Sequence, residues 1–205
     1  MWAYVLVTVL VAYFLGNLNG AVVVSIAMKD DVRSHGSGNA GLTNFVRNYG
    51  SSKSLLVILI DAGKAFLACT AGRLLLGHFG YGLEGAAIAG VAVMLGHDFP
   101  ALFGFKGGKG IMSGLFIALA VDWRIGLIIL AVFAVFYAVS GYVSLGSVLA
   151  ALTFGLAFCL LHYDRITVML CGCVMGVLTV FMHRQNIARL LRGEERKTNL
   201  LQKKK

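Results

Sequence analysis

Charged residues and proline are both scarce in this sequence. Only 13% of its 205 residues are charged and 59% are hydrophobic, whereas soluble domains are roughly 25% charged. The mean hydropathy is +0.83. A chain this short and this apolar leaves no room for a separate soluble catalytic domain, so that class is excluded. The composition predicts an all-α integral membrane protein, one membrane-embedded domain over residues 1–205, with its chemistry on loops and helix ends at the membrane surface.

Cysteine is also infrequent. All four cysteines lie inside apolar runs: Cys69, Cys159, Cys171 and Cys173. Disulfides are not expected in such runs, and Cys171 and Cys173 lack metal-site partners nearby. We interpret the cysteines as small apolar packing residues and predict neither a metal site nor a cofactor.

Basic residues outnumber acidic ones, which gives a net charge of +9. In a membrane protein such an excess more often reflects the Lys and Arg bias of cytoplasmic loops than a nucleic-acid partner, so we predict no nucleic acid. The C-terminal Lys203, Lys204 and Lys205 are expected near anionic lipid headgroups.

Apolar segments predict seven transmembrane helices, some of them short, at roughly 20 residues per full crossing. The segments are 2–27, 54–78, 82–95, 111–121, 125–139, 143–161 and 166–182. Segments 82–95 and 111–121 are short enough to be re-entrant, which would leave five crossings. Ser140 and Gly141 break the long run from 125 to 161, and a polar turn at 162–165 precedes the last span.

The first segment lacks the basic start and the cleavage site of a signal peptide, so it is interpreted as a retained helix. Polar and small residues interrupt it: Gly16, Asn17, Asn19 and Gly20. Close helix packing and a polar lining near a site are equally good interpretations of this interruption. In the second span, Asp61 and Lys64 lie three residues apart on one helix face, which predicts an ion pair inside the bundle, with a direct catalytic role as the alternative.

Lysine and arginine predict the orientation of the chain. Fourteen of the 18 lie in the polar segment 28–53, in the stretch 96–110 and in the C-terminal tail, and the opposite side has only Arg73, Arg124 and Arg165. The N-terminus is therefore predicted outside and the C-terminus in the cytoplasm.

Two polar stretches are rich in glycine. Gly96–Gly114 reads GHDFPALFGFKGGKGIMSG and contains the only proline, Pro100, and His35–Asn44 reads HGSGNAGLTN. Glycine lets backbone N–H groups approach a ligand, and such groups beside a lysine form an anion cradle. Both stretches and the polar segment from His183 fall on the predicted cytoplasmic face, which indicates a site for anionic groups there.

Neither glycine stretch is a nucleotide-binding motif. Residues 36–41 match G-x-G-x-x-G, but no βαβ unit surrounds them and the acidic residue about 20 positions later lies in a predicted span. The stretch 104–110 resembles a Walker A loop, but Gly110 replaces the hydroxyl residue that would hold Mg²⁺. An anion cradle without a metal is the better interpretation.

Three blocks of the sequence resemble the bacterial acyl-phosphate:glycerol-3-phosphate acyltransferase family, called PlsY. They are GSGNAGLTNFVR (36–47), GHDFPALFGFKGGKG (96–110) and HRQNIARLLRGEE (183–195). The resemblance implies a seven-span bacterial inner-membrane enzyme with its active site facing the cytoplasm. Such an enzyme transfers an acyl chain from acyl phosphate to glycerol 3-phosphate, giving lysophosphatidic acid and phosphate, the first acylation of phospholipid synthesis. This chain departs from the family where Asn17-Leu-Asn19 replaces the usual Ser-x-Pro.

The resemblance and the chemistry of the motifs together predict the site residues. Catalytic roles are predicted for Ser37, Arg47, Lys109, His183 and Asn186. Substrate-binding roles are predicted for Gly38, Asn39, Thr43, Asn44, His97, Lys106, Gly107, Gly108, Ser144, Arg189 and Glu195. The 107–109 loop would cradle one phosphate, and the 37–47 segment would hold the other phosphate or the glycerol. His183 and Asn186 would orient the glycerol 1-hydroxyl, with either His183 or the substrate phosphate as the base.

Two other functions fit part of the pattern. A transporter for an anionic metabolite would need a polar path to the outer face, where no glycine loop and no inverted repeat is evident. A membrane transferase that uses acyl-CoA or acyl carrier protein would differ only in its donor. A purely structural membrane protein fits three polar motifs on one face least well.

Overall fold

The computed structural model describes residues 1–197, and these fold into α-helices without a β-strand. The ten helices are α1 (Trp2–Asn17), α2 (Gly20–Ala27), α3 (Leu42–Tyr49), α4 (Ser54–Gly77), α5 (Gly82–Asp98), α6 (Ile111–Val121), α7 (Trp123–Ser140), α8 (Val143–Leu161), α9 (Ile166–Met182) and α10 (Arg184–Leu191). Short 3₁₀ turns cover Val32–Ser34 and Ala101–Phe103. The three C-terminal lysines that were predicted near headgroups lie outside the described residues.

Four of these helices are long and apolar enough to cross a membrane, namely α4, α7, α8 and the segment Gly82–Phe103 that contains α5. The pairs α1–α2 and α9–α10 meet the same criterion if each counts as one bent span, which gives up to six. The shorter apolar helix α6 has 11 residues. The segment predicted as a short apolar run at 82–95 is thus longer than expected, because the helix continues into the polar stretch.

The predicted first span is two helices rather than one. The axes of α1 and α2 differ by 44° at the break between them. Asn19 begins α2, since its side-chain oxygen accepts a hydrogen bond from the Val22 N–H at 3.2 Å. The Asn17 side-chain oxygen accepts from the Leu102 N–H at 3.0 Å and so joins the break to the segment after α5.

Glycines allow the central helices to approach one another closely. A side chain at Gly16 would overlap the Val93 carbonyl, and side chains at Gly72 and Gly85 would overlap each other's backbone. Such contacts join α1 and α4 to α5, and they provide the van der Waals packing that holds helices together where lipid removes most of the hydrophobic driving force. At the break in the first span, glycines thus give close packing while asparagines supply polar contacts.

The predicted breaks between the later helices are confirmed. Gly141 separates α7 from α8 with a φ of 74°, a conformation that glycine adopts without strain. The 162–165 turn separates α8 from α9. At one end of this pair, the buried His162 lies 3.1 Å from the Asp122 carboxylate, which joins α8 to the start of α7.

Candidate functional site

A cavity of about 220 Å³ opens where the polar segments and the ends of the apolar helices come together. Twelve of the sixteen predicted site residues line it: Ser37, Asn39, Thr43, Asn44, Arg47, His97, Lys109, Ser144, His183, Asn186, Arg189 and Glu195. They come from segments up to 158 residues apart in the chain, and three polar blocks therefore meet in one place.

Four predicted residues do not line the cavity. Lys106 is exposed, and its backbone carbonyl contacts Arg33 rather than the cavity. The Gly108 N–H, predicted to cradle phosphate, instead donates to the His97 carbonyl at 3.0 Å. The Gly38 N–H likewise donates within its own loop. The N–H groups of Gly38 and Gly108 thus have partners in the protein.

The glycines of the second block provide clearance for a histidine. A side chain on Gly107 would overlap the His97 carbonyl, and one on Gly108 would overlap the His97 imidazole. The imidazole therefore lies against the glycine backbone, with Lys109 next in the chain. Sequence reasoning interpreted this as ligand clearance, but the group accommodated is a side chain of the protein.

Asn44 organises the first glycine block rather than presenting its amide to a ligand. Its side-chain nitrogen donates to the carbonyls of Val32, His35 and Asn39, each at 3.0 Å. Its oxygen accepts from the Ser37 N–H at 3.0 Å. These bonds use both ends of the amide and hold the first glycine block together, and Asn44 also lines the cavity.

The third block, residues 183–195, forms a hydrogen-bonded wall of the cavity together with Lys109 of the second block. Lys109 Nζ donates to Asn186 Oδ1 at 2.5 Å, and Asn186 Nδ2 donates to Glu195 Oε1 at 3.1 Å. Arg189 Nε donates to Glu195 Oε2 at 2.7 Å. Glu195 thus orients two cavity residues, and Asn186 orients the lysine.

Positive charge is in excess on this wall. Arg47, Lys109 and Arg189 line the cavity together with Glu195, whereas Asp61, which also lines it, is paired with Lys64. Burial, with Arg189 nearby, lowers the pKa of Lys109 to about 8. Burial also lowers the pKa of Arg47. An anionic ligand would offset this unfavourable concentration of half-buried positive charge.

His183 has a defined tautomer in its neutral form. It lies at the junction of α9 and α10, is 4% exposed, and its Nδ1 is 2.8 Å from the Thr179 carbonyl oxygen. A carbonyl only accepts, so Nδ1 bears the hydrogen and donates. Nε2 then carries a lone pair, as a base toward a substrate hydroxyl requires.

Asp61 and Lys64 form the predicted ion pair, at 2.8 Å with both side chains only 2% exposed. The Asp61 carboxylate also accepts from the Gly20 N–H at 3.1 Å, so the pair holds α4 against the start of α2. Asp61 reaches the cavity lining.

Apolar side chains also line the cavity, and sequence reasoning missed them. They come from α6, α7 and α8: Ile111, Met112, Leu115, Ile129, Leu130, Phe133, Val143 and Ala150. Nothing in the sequence separates these residues from those that face lipid, because all lie in uniformly apolar helices. The cavity can therefore hold a ligand with an anionic head and an apolar chain.

Comparison with known proteins identifies the family. A family model described as glycerol-3-phosphate acyltransferase matches residues 6–193. Relatives named glycerol-3-phosphate acyltransferase include one from Thermoanaerobacter pseudethanolicus, 36% identical over 95% of this chain and 96% of the relative. Another, from Paraburkholderia xenovorans, is 40% identical over 93% of this chain and 89% of the relative.

Two solved structures share the fold. One is PlsY, described as an integral membrane glycerol 3-phosphate acyltransferase, in its glycerol 3-phosphate form; it is 33% identical, covers 96% of each chain and has a TM-score of 0.86. The second is the lysophosphatidic acid form, 32% identical over 96% of each chain with a TM-score of 0.82. The family predicted from the three sequence blocks is confirmed, and the chain belongs to the glycerol-3-phosphate acyltransferase family of integral membrane proteins.

Proposed function

We propose that this protein transfers an acyl chain from acyl phosphate to the 1-hydroxyl of glycerol 3-phosphate, giving lysophosphatidic acid and inorganic phosphate. The observation that carries the proposal is the mixed lining of the cavity, which combines cations with apolar side chains. Acyl phosphate needs both kinds of lining, and glycerol 3-phosphate needs the cations.

The cations would bind the two phosphates. Lys109 and Arg47 are assigned to phosphate neutralisation because they are partly desolvated and line the cavity. Ser37, Asn39 and Thr43 also line the cavity, and their side chains would orient the glycerol or a second phosphate. Ser144 would contact the substrate from the start of α8, where its buried hydroxyl has no hydrogen-bond partner within residues 1–197.

The third block would prepare the nucleophile. His183 Nε2, unprotonated in the neutral tautomer, would accept the proton of the 1-hydroxyl as it attacks the acyl carbonyl, and Asn186 would hold Lys109 beside the leaving phosphate. The hydroxyl oxygen forms the new ester bond, the carbonyl–phosphate bond breaks, and phosphate leaves with the bonding electron pair. The substrate phosphate as proton acceptor is the alternative.

Acyl phosphate is an activated donor, so we propose direct transfer without an acyl-enzyme and without a cofactor. Catalysis would then come from positioning and from stabilising the developing oxyanion and the leaving phosphate. Positioning of two bound reactants contributes about 7–11 kcal/mol in favourable cases.

We further propose that residues 1–205 form one domain with seven crossings, α1–α2 and α9–α10 each counting as one and α6 as the short one. The N-terminus would face outward and the C-terminus the cytoplasm of a bacterium, with the cavity at the cytoplasmic face of the inner membrane. The clustering of Arg47, Lys109 and Arg189 around the cavity supports this orientation.

The donor decides the proposal. Purified protein would be supplied with glycerol 3-phosphate and palmitoyl phosphate, palmitoyl-CoA or palmitoyl acyl carrier protein, and both phosphate and lysophosphatidic acid would be measured. Turnover with palmitoyl phosphate alone is expected. Turnover only with a thioester donor would overturn the donor assignment, and no turnover by folded protein with any of the three would favour a transporter.

A further inference from the structure

His97 belongs to a buried polar cluster that the proposed reaction does not use directly. The other members are Asn19, Asp61 and Lys64, and all four residues are 3% exposed or less. It lies where the α1–α2 break meets α4 and α5, and His97 and Asp61 also line the cavity.

Two hydrogen-bond donors face the same nitrogen of His97. Lys64 Nζ lies 2.7 Å from His97 Nδ1, and Asn19 Nδ2 lies 3.4 Å from it. The orientation of the Asn19 amide is set independently, since its oxygen accepts from the Val22 N–H and its nitrogen donates to the Ala40 carbonyl at 2.9 Å.

An ammonium and an amide nitrogen only donate, so Nδ1 of His97 is the acceptor. The Asp61 carboxylate, which would favour a hydrogen on Nδ1, is farther away at 3.6 Å and is already paired with Lys64 at 2.8 Å. The break between α1 and α2 holds the ammonium in place, because the Leu18 carbonyl accepts its third N–H at 3.1 Å and the Gly16 carbonyl lies 3.3 Å away. The neutral imidazole therefore carries its hydrogen on Nε2.

The Nε2 edge of the ring faces the glycine loop. It lies against Gly108, which lacks the side chain that would overlap it, and Lys109 follows in the chain. Within residues 1–197, the hydrogen bonds of the His97 ring involve Nδ1, and the residue lines the cavity. An Nε2–H donor without a protein partner is available to a ligand acceptor.

We propose that His97 Nε2–H donates a hydrogen bond to a phosphate oxygen of a substrate, and that Lys64 and Asn19 are positioning residues that hold the ring in this tautomer. The inference rests on the proposed function for the identity of the ligand, a phosphate monoester or an acyl phosphate. It gives a specific contact and tautomer to the substrate-binding role that the sequence predicted for His97 beside the glycine loop.

Nitrogen NMR of ¹⁵N-histidine-labelled protein tests the tautomer directly. The protein has five histidines, and the resonances of His97 are those missing from a His97→Gln variant. We expect a protonated Nε2 and an unprotonated Nδ1 in the ligand-free protein. Glycerol 3-phosphate in one arm and dodecyl phosphate in another should identify which phosphate shifts the Nε2 resonance. A protonated Nδ1, or an unmoved Nε2 at saturation with both ligands, would overturn the inference.

Two substitutions of His97 separate donation from packing. Glutamine places an amide nitrogen near the position of Nε2, whereas asparagine reaches only the Nδ1 position. Because a hydrogen bond to a charged group is at stake, His97→Asn should raise KM for the substrate identified by NMR about tenfold or more, with little change in kcat. His97→Gln should retain most of the affinity. Equal losses in both variants would contradict donation from Nε2.

The positioning role is tested with Lys64→Met combined with Asp61→Asn, which leaves no unpaired buried charge. We expect the Nδ1–H tautomer to become populated in the folded variant. An unchanged tautomer would exclude Lys64 as a positioning residue, and if the variant does not fold, the wild-type spectra still decide the inference. These NMR readouts do not require turnover. An active enzyme whose Nε2 resonance does not shift with either ligand would refute only this inference. Inactivity with all three donors would refute the proposed function.

Discussion

The two histidines that line the cavity lie in clusters of opposite electrical character. Next to His97 lies the cation Lys64, which the Asp61 carboxylate compensates at 2.8 Å. Around His183, several cations gather: Lys109 contacts a neutral amide, and the carboxylate of Glu195 contacts Arg189.

This difference separates a charge-balanced cluster, which presents a neutral hydrogen-bond donor, from a cluster that can bind a charge. Charges in a membrane bundle are costly unless paired, and the His97 cluster pairs them while joining three helices. The His183 cluster has surplus positive charge that a ligand phosphate would compensate. The two histidines also have different tautomers, because Nδ1 accepts a hydrogen bond in His97 and donates one in His183.

The largest effect is expected from removing the charge of the His183 cluster. Lys109→Met should lower kcat/KM about 10²–10³-fold, the usual cost of losing one group that stabilises charge in the transition state. Lys106→Met is the matched control, since that lysine is three residues away but exposed and outside the cavity. Steady-state kinetics of both variants measures the effect, and similar losses in the two would show that the cavity does not distinguish them.

His183→Gln should lower kcat by about 10²-fold or more, as expected for loss of a general base. The reason is that Nδ1 donates to the Thr179 carbonyl and leaves Nε2 to accept the hydroxyl proton. His78→Gln, at an exposed position, is the control and should be fully active. A near-normal kcat in His183→Gln would instead identify the substrate phosphate as the proton acceptor.

The pH dependence should reflect Lys109. Burial lowers its pKa from the ordinary 10.5 to about 8, so the side chain is charged below that pH and loses its charge above it. Because the charged form attracts phosphate, kcat/KM should fall roughly tenfold per pH unit well above pH 8. In Lys109→Arg the guanidinium stays charged, so the decline should be absent at those pH values. A decline that persists in this variant would assign it to another group.

The smallest effect is expected in the charge-balanced cluster around His97, from Gly108→Ala. The new methyl group would overlap the His97 imidazole and displace the ring, so KM for a phosphate substrate should rise several-fold to about tenfold. Gly63→Ala is the control, since nothing lies within 4 Å of a methyl group there. Unchanged kinetics in Gly108→Ala would show that the ring position has no bearing on binding.

The helical framework was predictable because apolar composition leaves a membrane chain little alternative to helices. The breaks at 140–141 and 162–165 followed from glycine and polar residues within apolar runs. The bend between α1 and α2, the small helices α3 and α10 and the full length of α5 did not follow, because each depends on contacts between distant segments. Asn17, for example, contacts Leu102 across 85 positions of the chain.

The site was predictable as a set of polar blocks but not as a set of roles. Blocks 36–47, 96–110 and 183–195 do meet at one cavity, and the residue types there carried the family resemblance. The partner of each loop amide did not follow from the sequence, because only the folded chain shows that the Gly108 N–H bonds to the His97 carbonyl.

Composition and motif order thus determined that this chain is an α-helical membrane protein of the glycerol-3-phosphate acyltransferase family, since hydropathy and short motifs are local properties. Tertiary structure decided that Lys109 rather than Lys106 lines the cavity, and that the glycines make room for an imidazole. It also decided which apolar residues line the cavity. Those features depend on the direction of each side chain after the helices have packed. Spacing along an almost uniformly apolar chain does not specify that direction.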